Sequence, residues 1–302
     1  MEPPITSSAS KKPGDARSAG GGWTKKEKGG RPRKSGALVV LRPGYQDADR
    51  FERAKRIGWL DFGLIAKERV LVVGAGALGN EVVKNLILSG YRRISLVDMD
   101  RVVLSNLNRC VFFTEEDSTE KRFKAEVLAE RARRLDPGAK VEPHVCRIEE
   151  MPERFIYRHG VVLGCLDNIA ARLHLNAHTY PRGIPYIDGA TLGTVGKVQN
   201  VLPPETPCLE CGMNRTHMRV LEKRFSCTGR DFTFFDPKLA AEITTTSVVA
   251  AVQVREALKL TSRQRELCFR NIFYYDGKRN VSEILEVDRN PECPHHSKEV
   301  RA

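Results

Sequence analysis

The chain alternates short apolar runs with longer stretches in which apolar residues recur at helical spacing. Arg69-Val-Leu-Val-Val73 is an uninterrupted aliphatic run that ends at Gly74, the pattern of a strand covered on both faces. Residues 77–88 carry apolar positions at helical spacing and stop at Ser89-Gly90, a helix end. Residues 94–97 predict a second strand. Residues 120–135 predict an amphipathic helix, stopped by Asp136-Pro137-Gly138. Strands at 161–164 and 185–187 flank a helix over 169–178, and the charged stretch 47–56 predicts a further short helix. The last third predicts a helix over 245–260 and strands at 272–275 and 282–287. Strands that alternate with helices at this spacing predict an α/β fold, a doubly wound and mostly parallel sheet with a β/α portion at the C-terminal end. No internal repeat is present.

Composition adds a boundary. Residues 1–36 are rich in Gly, Ser, Pro and Lys, with Trp23 as the only aromatic. Such a segment buries too little apolar surface to fold, so the chain divides into a disordered basic tail, 1–36, and one folded domain, 37–302. The tail holds nine Lys/Arg against three Asp/Glu, half of the net charge of +12. Within it, Gly30-Arg31-Pro32-Arg33-Lys34 resembles an AT-hook core, which lays Arg-Pro-Arg along a minor groove. A five-residue match in a basic tail is a weak signal, so the reading is a solvated tail with at most weak affinity for nucleic acid, and minor-groove binding is the alternative. No apolar run is long enough to cross a membrane and no secretory signal is seen, so the reading is a soluble, cytoplasmic protein. Eight cysteines in that setting argue for metal ligands, a reactive thiol and buried small hydrophobes rather than disulfides.

Gly74-Ala75-Gly76-Ala77-Leu78-Gly79 is a G-x-G-x-x-G between a strand and a helix. Gly74 permits the tight turn, Gly76 lets a phosphate approach the backbone, and Gly79 packs helix on strand. Asp98 follows at the end of the next strand, placed for ribose hydroxyls. This Rossmann-like turn says nucleotide without choosing between NAD and ATP. Asn106 and Arg109, within Ser105-Asn-Leu-Asn-Arg109, tip the choice toward ATP. Nucleotidyl transfer expels pyrophosphate, whose charge needs neutralising. Lys124 supplies a second cation. Asp167 and Asn168 follow the strand at 161–164, at the sheet's carboxyl edge, and a carboxylate there suits Mg2+. The bland alternatives are a strand-end cap for Asp98, a solvated lysine for Lys124 with Lys121 nearby, and a helix cap for Asp167.

With these residues in hand, the chain resembles the MoeB/ThiF adenylyltransferases and the adenylation domains of ubiquitin-activating enzymes, from about Arg50 to His296. The resemblance implies that Gly74, Gly76 and Gly79 form the phosphate turn and that Asp98 holds ribose. It implies that Asn106, Arg109 and Lys124 contact phosphates and that Asp167, followed by Asn168, is linked to magnesium. The loop before Lys124 is about two residues longer than the family's. Arg50-Phe-Glu-Arg53 is similar to the family's Arg-Tyr-x-Arg, whose second arginine reaches the partner subunit's ATP. That makes Arg53 a catalytic candidate and implies a homodimer; the alternative is a surface arginine. Ala54 and Cys110 stand where the family has glutamine.

Cys208-Leu-Glu-Cys211 and Cys293-Pro-His-His296 have the spacing of two knuckles of a structural zinc site. The family's second knuckle is Cys-x-x-Cys, so His296 would be the fourth ligand, with His295 the competitor. Between the first knuckle and the last long helix lies Cys227-Thr228, similar to the thioester cysteine of activating enzymes. Lys223, Arg224 and Arg230 flank it, and cations lower a thiol's pKa. An incidental thiol is the alternative. Cys110, Cys146, Cys165 and Cys268 read as core.

The expectation is ATP- and Mg2+-dependent adenylation of the C-terminal glycine of a ubiquitin-like protein, followed by a thioester on Cys227, with a conjugating enzyme as a further partner. The domain would be a minimal form, lacking a large cysteine domain, a ubiquitin-fold tail and a rhodanese-like extension. One alternative activates a sulfur-carrier protein with Cys227 idle. Another is a non-catalytic nucleotide-binding scaffold, against which the intact set Arg109, Lys124 and Asp167 argues.

Overall fold

The computed structural model describes residues 48–212 and 240–295. The tail 1–36, the flanking residues of Cys227 and Cys227 itself lie outside them. An eight-stranded sheet has the order β3-β2-β1-β4-β5-β6-β7-β8. Its strands are β1 Arg69–Val73, β2 Arg93–Val97, β3 Lys140–His144, β4 Val161–Gly164, β5 Tyr186–Leu192, β6 Val195–Val201, β7 Ile272–Asp276 and β8 Val281–Leu285. The first five in chain order pair in parallel; β6, β7 and β8 are added antiparallel. The helices are α1 Phe62–Ile65, α2 Ala77–Leu88, α3 Glu115–Thr119, α4 Lys124–Leu135, α5 Glu153–Tyr157, α6 Ile169–Thr179 and α7 Ile243–Thr261.

Alternation along β1 divides the core in two. Val70 and Val72 face a cluster that includes Val82, Leu86, Leu128 and Val249 from α2, α4 and α7. Leu71 and Val73 face Phe155, Ile156 and Leu175 from α5 and α6. Helices therefore cover both faces, and each fully buried aliphatic side chain contributes about 1.5–3 kcal/mol. The chain winds from β1 outward through β2 to β3, then crosses back to place β4 on the other side of β1. The carboxyl ends of β1 and β4 thus flank the topological switch point, where doubly wound sheets open a crevice.

Three expectations from the sequence needed correction. The short helix over 47–56 reduces, in its described part, to a 3-10 turn at Ala54–Arg56. Asp49 accepts the Phe51 amide at 2.8 Å, a local turn bond that competes with helix. The helix expected from residue 120 begins at Lys124. Lys121 has φ +51°, and Phe123 bridges antiparallel to Arg101, so 121–123 are drawn out of helical geometry. The strand expected at 185–187 runs to Leu192 and turns at Gly193, φ +59°, into β6.

α2 ends as its sequence requires. Gly90 has φ +99°, its N–H bonds Ile87 O, and the Tyr91 N–H bonds Leu86 O at 3.1 Å. This paired Schellman arrangement stops the helix.

Candidate active site

The glycine turn sits directly over the switch point. Gly74 has φ +101°, and a Cβ there would stand 2.3 Å from Cys165 O at the end of β4; a Cβ on Gly79 would stand 1.9 Å from Gly74 O. Both positions exclude a side chain. Gly76 differs: a Cβ there meets nothing within 4 Å. It caps α2 with extended backbone, so its open side faces the space in front of the helix N-terminus, where an anion is favoured. A phosphate group fits that cradle.

Asp98, at the end of β2, is tied to the turn. One carboxylate oxygen accepts the Ala75 N–H at 2.7 Å and the other the Asp100 N–H at 2.7 Å. Asp100 in turn accepts Lys124 Nζ at 2.8 Å. Burial raises the Asp98 pKa above the ordinary aspartate value, against the pull of Lys124 and the two amides. Burial also disfavours the Lys124 ammonium, but Asp98 and Asp100 outweigh it and hold the Lys124 pKa above the usual lysine value. Lys124 is therefore a charged cation with its side chain 12% exposed, not a solvated surface lysine.

The Asn106–Arg109 segment lies alongside. Asn106 is buried and its side-chain oxygen accepts the Val103 N–H at 3.1 Å. Arg109 is half-buried and donates to the Ser105 carbonyl and, at 2.9 Å, to Asn108 Oδ1. Arg109 and Lys124 both act electrostatically on Cys110, which burial nevertheless pushes up to about 11. That thiol stays neutral at pH 7 and is no nucleophile. Cys110, Cys165 and Cys268 are buried, and Cys146 is half-buried.

Asp167 is exposed beyond β4. Asn168, not Asp167, caps α6, accepting the Ala171 N–H at 2.8 Å. The Asp167 carboxylate is thus spared the capping role and fits a magnesium ion held jointly with phosphates. Arg53 is not brought to this site. Its neighbour Phe51 packs on Phe62 and against Gly90, at the far end of α2 from the glycine turn. The 12-residue helix puts about 18 Å between those ends.

Three supporting residues escaped the sequence reading. Asn80, fully buried, donates to Ala75 O and Gly76 O and accepts the Phe112 N–H at 3.1 Å. It locks the turn to the segment after Arg109. Arg172 pairs with buried Asp188 at 2.8 Å and donates to Leu166 O, which fixes the loop before Asp167. Gln253 donates to Gly164 O and Ile187 O, both at 2.9 Å. A buried amide or charge carries this signal in sequence only as a polar residue interrupting an apolar pattern.

Cys208, Cys211 and Cys293 bring their sulfurs within 4.8 Å of one another, with Cys208 Sγ 3.9 Å from Cys211 Sγ and 3.5 Å from Cys293 Sγ. Sulfurs 2.3 Å from a tetrahedral zinc stand about 3.8 Å apart, so the spacing fits that ion and not a disulfide. Burial raises the Cys208 thiol's pKa, and Cys211 raises it further. A divalent cation relieves that penalty on three thiolates. His295 is engaged by Glu210 at 2.8 Å; His296 lies outside the described residues.

The ThiF family model matches residues 54–295. The chain belongs to the ThiF family. Among curated relatives, it is 37% identical over 165 residues to the NEDD8-activating enzyme E1 catalytic subunit of Dictyostelium discoideum, covering 50% of this chain and 37% of that protein. It is 35% identical over 181 residues to the Caenorhabditis elegans protein of the same description, covering 54% and 42%. The SUMO-activating enzyme subunit 2 of D. discoideum is 32% identical over 157 residues, covering 51% and 23%. The ThiF-family chain thus matches less than half the length of these relatives. In fold it is similar to the crystal structure of E. coli MccB with ATP, with TM-score 0.66 and 19% identity, over 85% of this chain and 77% of that one. Among the described residues no helix is long and apolar enough to cross a membrane.

Proposed function

We propose that this ThiF-family chain adenylates the C-terminal glycine carboxylate of a ubiquitin-like protein. The observation that carries this reading is the chain Ala75 N–H, Asp98, Asp100, Lys124 Nζ. It links a phosphate-cradling turn to a lysine held charged. Hydride transfer gives that lysine no task, whereas pyrophosphate departure does. The NEDD8- and SUMO-activating relatives support the substrate class.

In this reading the α2 N-terminus and Gly76 hold ATP phosphates, and Asp98 orients the ribose. The substrate carboxylate attacks the α-phosphorus, the bond to the β-phosphate bridging oxygen breaks, and its electron pair leaves with pyrophosphate. Lys124, Arg109 and Asn106 would stabilise the leaving charge, and Asn168 would join them at the nucleotide. A magnesium ion held by Asp167 would supply further charge neutralisation. Arg53 would act across a homodimer on the partner's nucleotide. The cysteine cluster, with His296 as fourth ligand, would hold a structural zinc. Cys227 would take the acyl group from AMP as a thioester and pass it to a conjugating enzyme.

Intact mass under non-reducing conditions tests this, with Mg-ATP and a diglycine-ended ubiquitin-like protein from the same source. The expected result is an ATP-dependent, thiol-labile adduct that is lost in Cys227→Ala. Adenylate without adduct removes the thioester step and favours a sulfur-carrier partner. Neither adenylate nor adduct, with nucleotide still bound, favours a non-catalytic scaffold.

A further inference from the structure

The opposite edge of the sheet carries its own pattern. β1, β2 and β3 each begin with a cation, Arg69, Arg93 and Lys140. Register pairs them directly: Arg69 with Arg93, and Arg93 with Lys140. Residues paired in register share one face of a sheet, so the three side chains form a row on the α5–α6 face, about 4.8 Å apart per strand. All three are exposed. Arg158, exposed on the turn into β4, extends the row; it rests over the Phe155 ring at 4.4 Å.

Like charges directly opposed across strands are destabilising, and little here offsets them. Among the described residues Arg69, Arg93 and Lys140 form no ion pair. Glu142 lies 3.6 Å from Arg158, and Glu68 accepts the Arg69 backbone N–H. The field reaches inward: burial first, then Arg158 and Arg69, depress His159 to about 4. Three strand-start cations with no ion pair of their own, Glu142 answering Arg158 alone, fit a polyanionic partner.

We propose that this amino-terminal sheet edge docks the phosphodiester backbone of duplex nucleic acid. The class follows from what surrounds the row. The starts of β1 to β3 themselves carry no exposed large apolar side chain; Leu88, 51% exposed, ends α2 ahead of the turn into β2. A protein partner would require apolar anchors there, and an anionic membrane apolar insertion. Single strands would require exposed aromatic stacking platforms, whereas Phe155 is buried. The surface lies a strand's length from the nucleotide turn, roughly 13–17 Å for five residues, so it is separate from the adenylation site. The basic tail, with its Arg31-Pro-Arg33, is a second cationic element in the same chain, and the test separates the two.

Fluorescence anisotropy with the full chain and a labelled 20-base-pair duplex, across a salt series, is the experiment. Three proteins are compared: wild type, the triple Arg69→Gln/Arg93→Gln/Lys140→Gln, and Arg31→Ala/Arg33→Ala. The triple variant is expected to bind at least 10-fold more weakly at about 100 mM salt. The magnitude of its slope of log K on log salt should fall by about 2–3, one counterion per lost phosphate contact. ATP–pyrophosphate exchange and the thermal midpoint check that the triple variant is folded; should it melt early, the three single Gln variants are read instead. Duplex binding by the triple or single variants equal to wild type overturns the proposal. So does loss of binding confined to the tail variant, or edge-dependent binding of phosphatidylserine vesicles without duplex binding.

Discussion

Lys124 Nζ reaches Asp100 Oδ2 at 2.8 Å across 24 residues of sequence, and the same lysine's backbone N–H bonds Asp100 O at 2.8 Å. Main chain and side chain therefore hold the first residue of α4 against the loop that follows β2. Behind it, buried Asp117 takes Arg131 and Arg122 and pins the loop that precedes the helix. In the proposed reaction a lysine restrained this way would be preorganised for the charge that develops as pyrophosphate leaves. Lys124→Ala is expected to lower ATP–pyrophosphate exchange about 10²–10³-fold. Lys121→Ala, three residues away on an exposed turn, should stay within a few-fold of wild type. Equal losses in both variants would remove Lys124 from the mechanism.

Gly76 and Gly79 separate ligand space from packing space. An alanine at Gly76 meets no atom within 4 Å, while one at Gly79 would stand 1.9 Å from Gly74 O. Gly76→Ala should fold with a thermal midpoint close to wild type and yet raise the KM for ATP about 10-fold or more, a cost of 1.4 kcal/mol or above. Gly79→Ala should be destabilised by about 3 kcal/mol or more, visible in urea unfolding. An unchanged KM in the folded Gly76→Ala protein would show that the cradle does not hold phosphate.

The sequence made the inner sheet legible because β1, β2 and β4 are buried on both faces and read as plain aliphatic runs. β3, Lys-Val-Glu-Pro-His, was hidden: it is an edge strand with one fully buried side chain, and its proline is tolerated only at an edge. β6 was hidden for another reason, since Gly196, Lys197, Gln199 and Asn200 dilute its apolar positions. Gly196 is there because a Cβ would strike Val249 of α7. β8 is exposed along its whole length, and the strand expected at 282–287 overlaps it. At the site, motif spacing and the family resemblance put forward Gly76, Asp98 and Lys124, and the fold links Asp98 to Lys124 through Asp100. Motif spacing could not find Asn80 or the Arg172–Asp188 pair, which act on the backbone around the site rather than on a ligand.

The cysteine cluster joins the loop after β6 to the segment after β8. Metal removal should therefore loosen the C-terminal strands before the nucleotide half. Cys208→Ser is expected to cost about 3 kcal/mol, roughly 6–12 °C in thermal midpoint for a domain of this size, with zinc content falling from one per chain to near zero. Metal analysis showing no zinc in the wild-type protein, or a variant as stable as wild type, would mean the thiols pack without an ion.

His159 gives the fold a defined acid sensitivity. It is buried, with Nε2 2.9 Å from Ser95 Oγ, its ring edge-on to Phe155, and Arg158 and Arg69 beside it. Its pKa falls from 6.5 to about 4, with burial as the first cause. The folded state therefore favours the neutral ring. The associated stability is present above pH 6.5 and is lost as pH falls toward 4, by about 3 kcal/mol in total. Urea unfolding at pH 7 and pH 4.5 should show a smaller difference for His159→Gln than for wild type. Identical pH dependence would assign the acid loss to other groups.

Arg53 stands at the far end of α2 from the glycine turn, so in its own chain it has no route to the phosphates. If it acts, it acts on a second copy, and this has a consequence that single-site kinetics cannot imitate. Arg53→Ala and Lys124→Ala should each be inactive as homodimers. Mixed, they form heterodimers in which the Arg53→Ala protomer keeps Lys124 and receives Arg53 from its partner, restoring one intact site per heterodimer. Random mixing in equal amounts should recover about one quarter of wild-type exchange activity. Recovery must rise with time of mixing at a rate set by subunit exchange, and it should vanish when the two homodimers are cross-linked beforehand. A mixture no more active than its parts would place Arg53 outside the reaction and leave it a surface arginine.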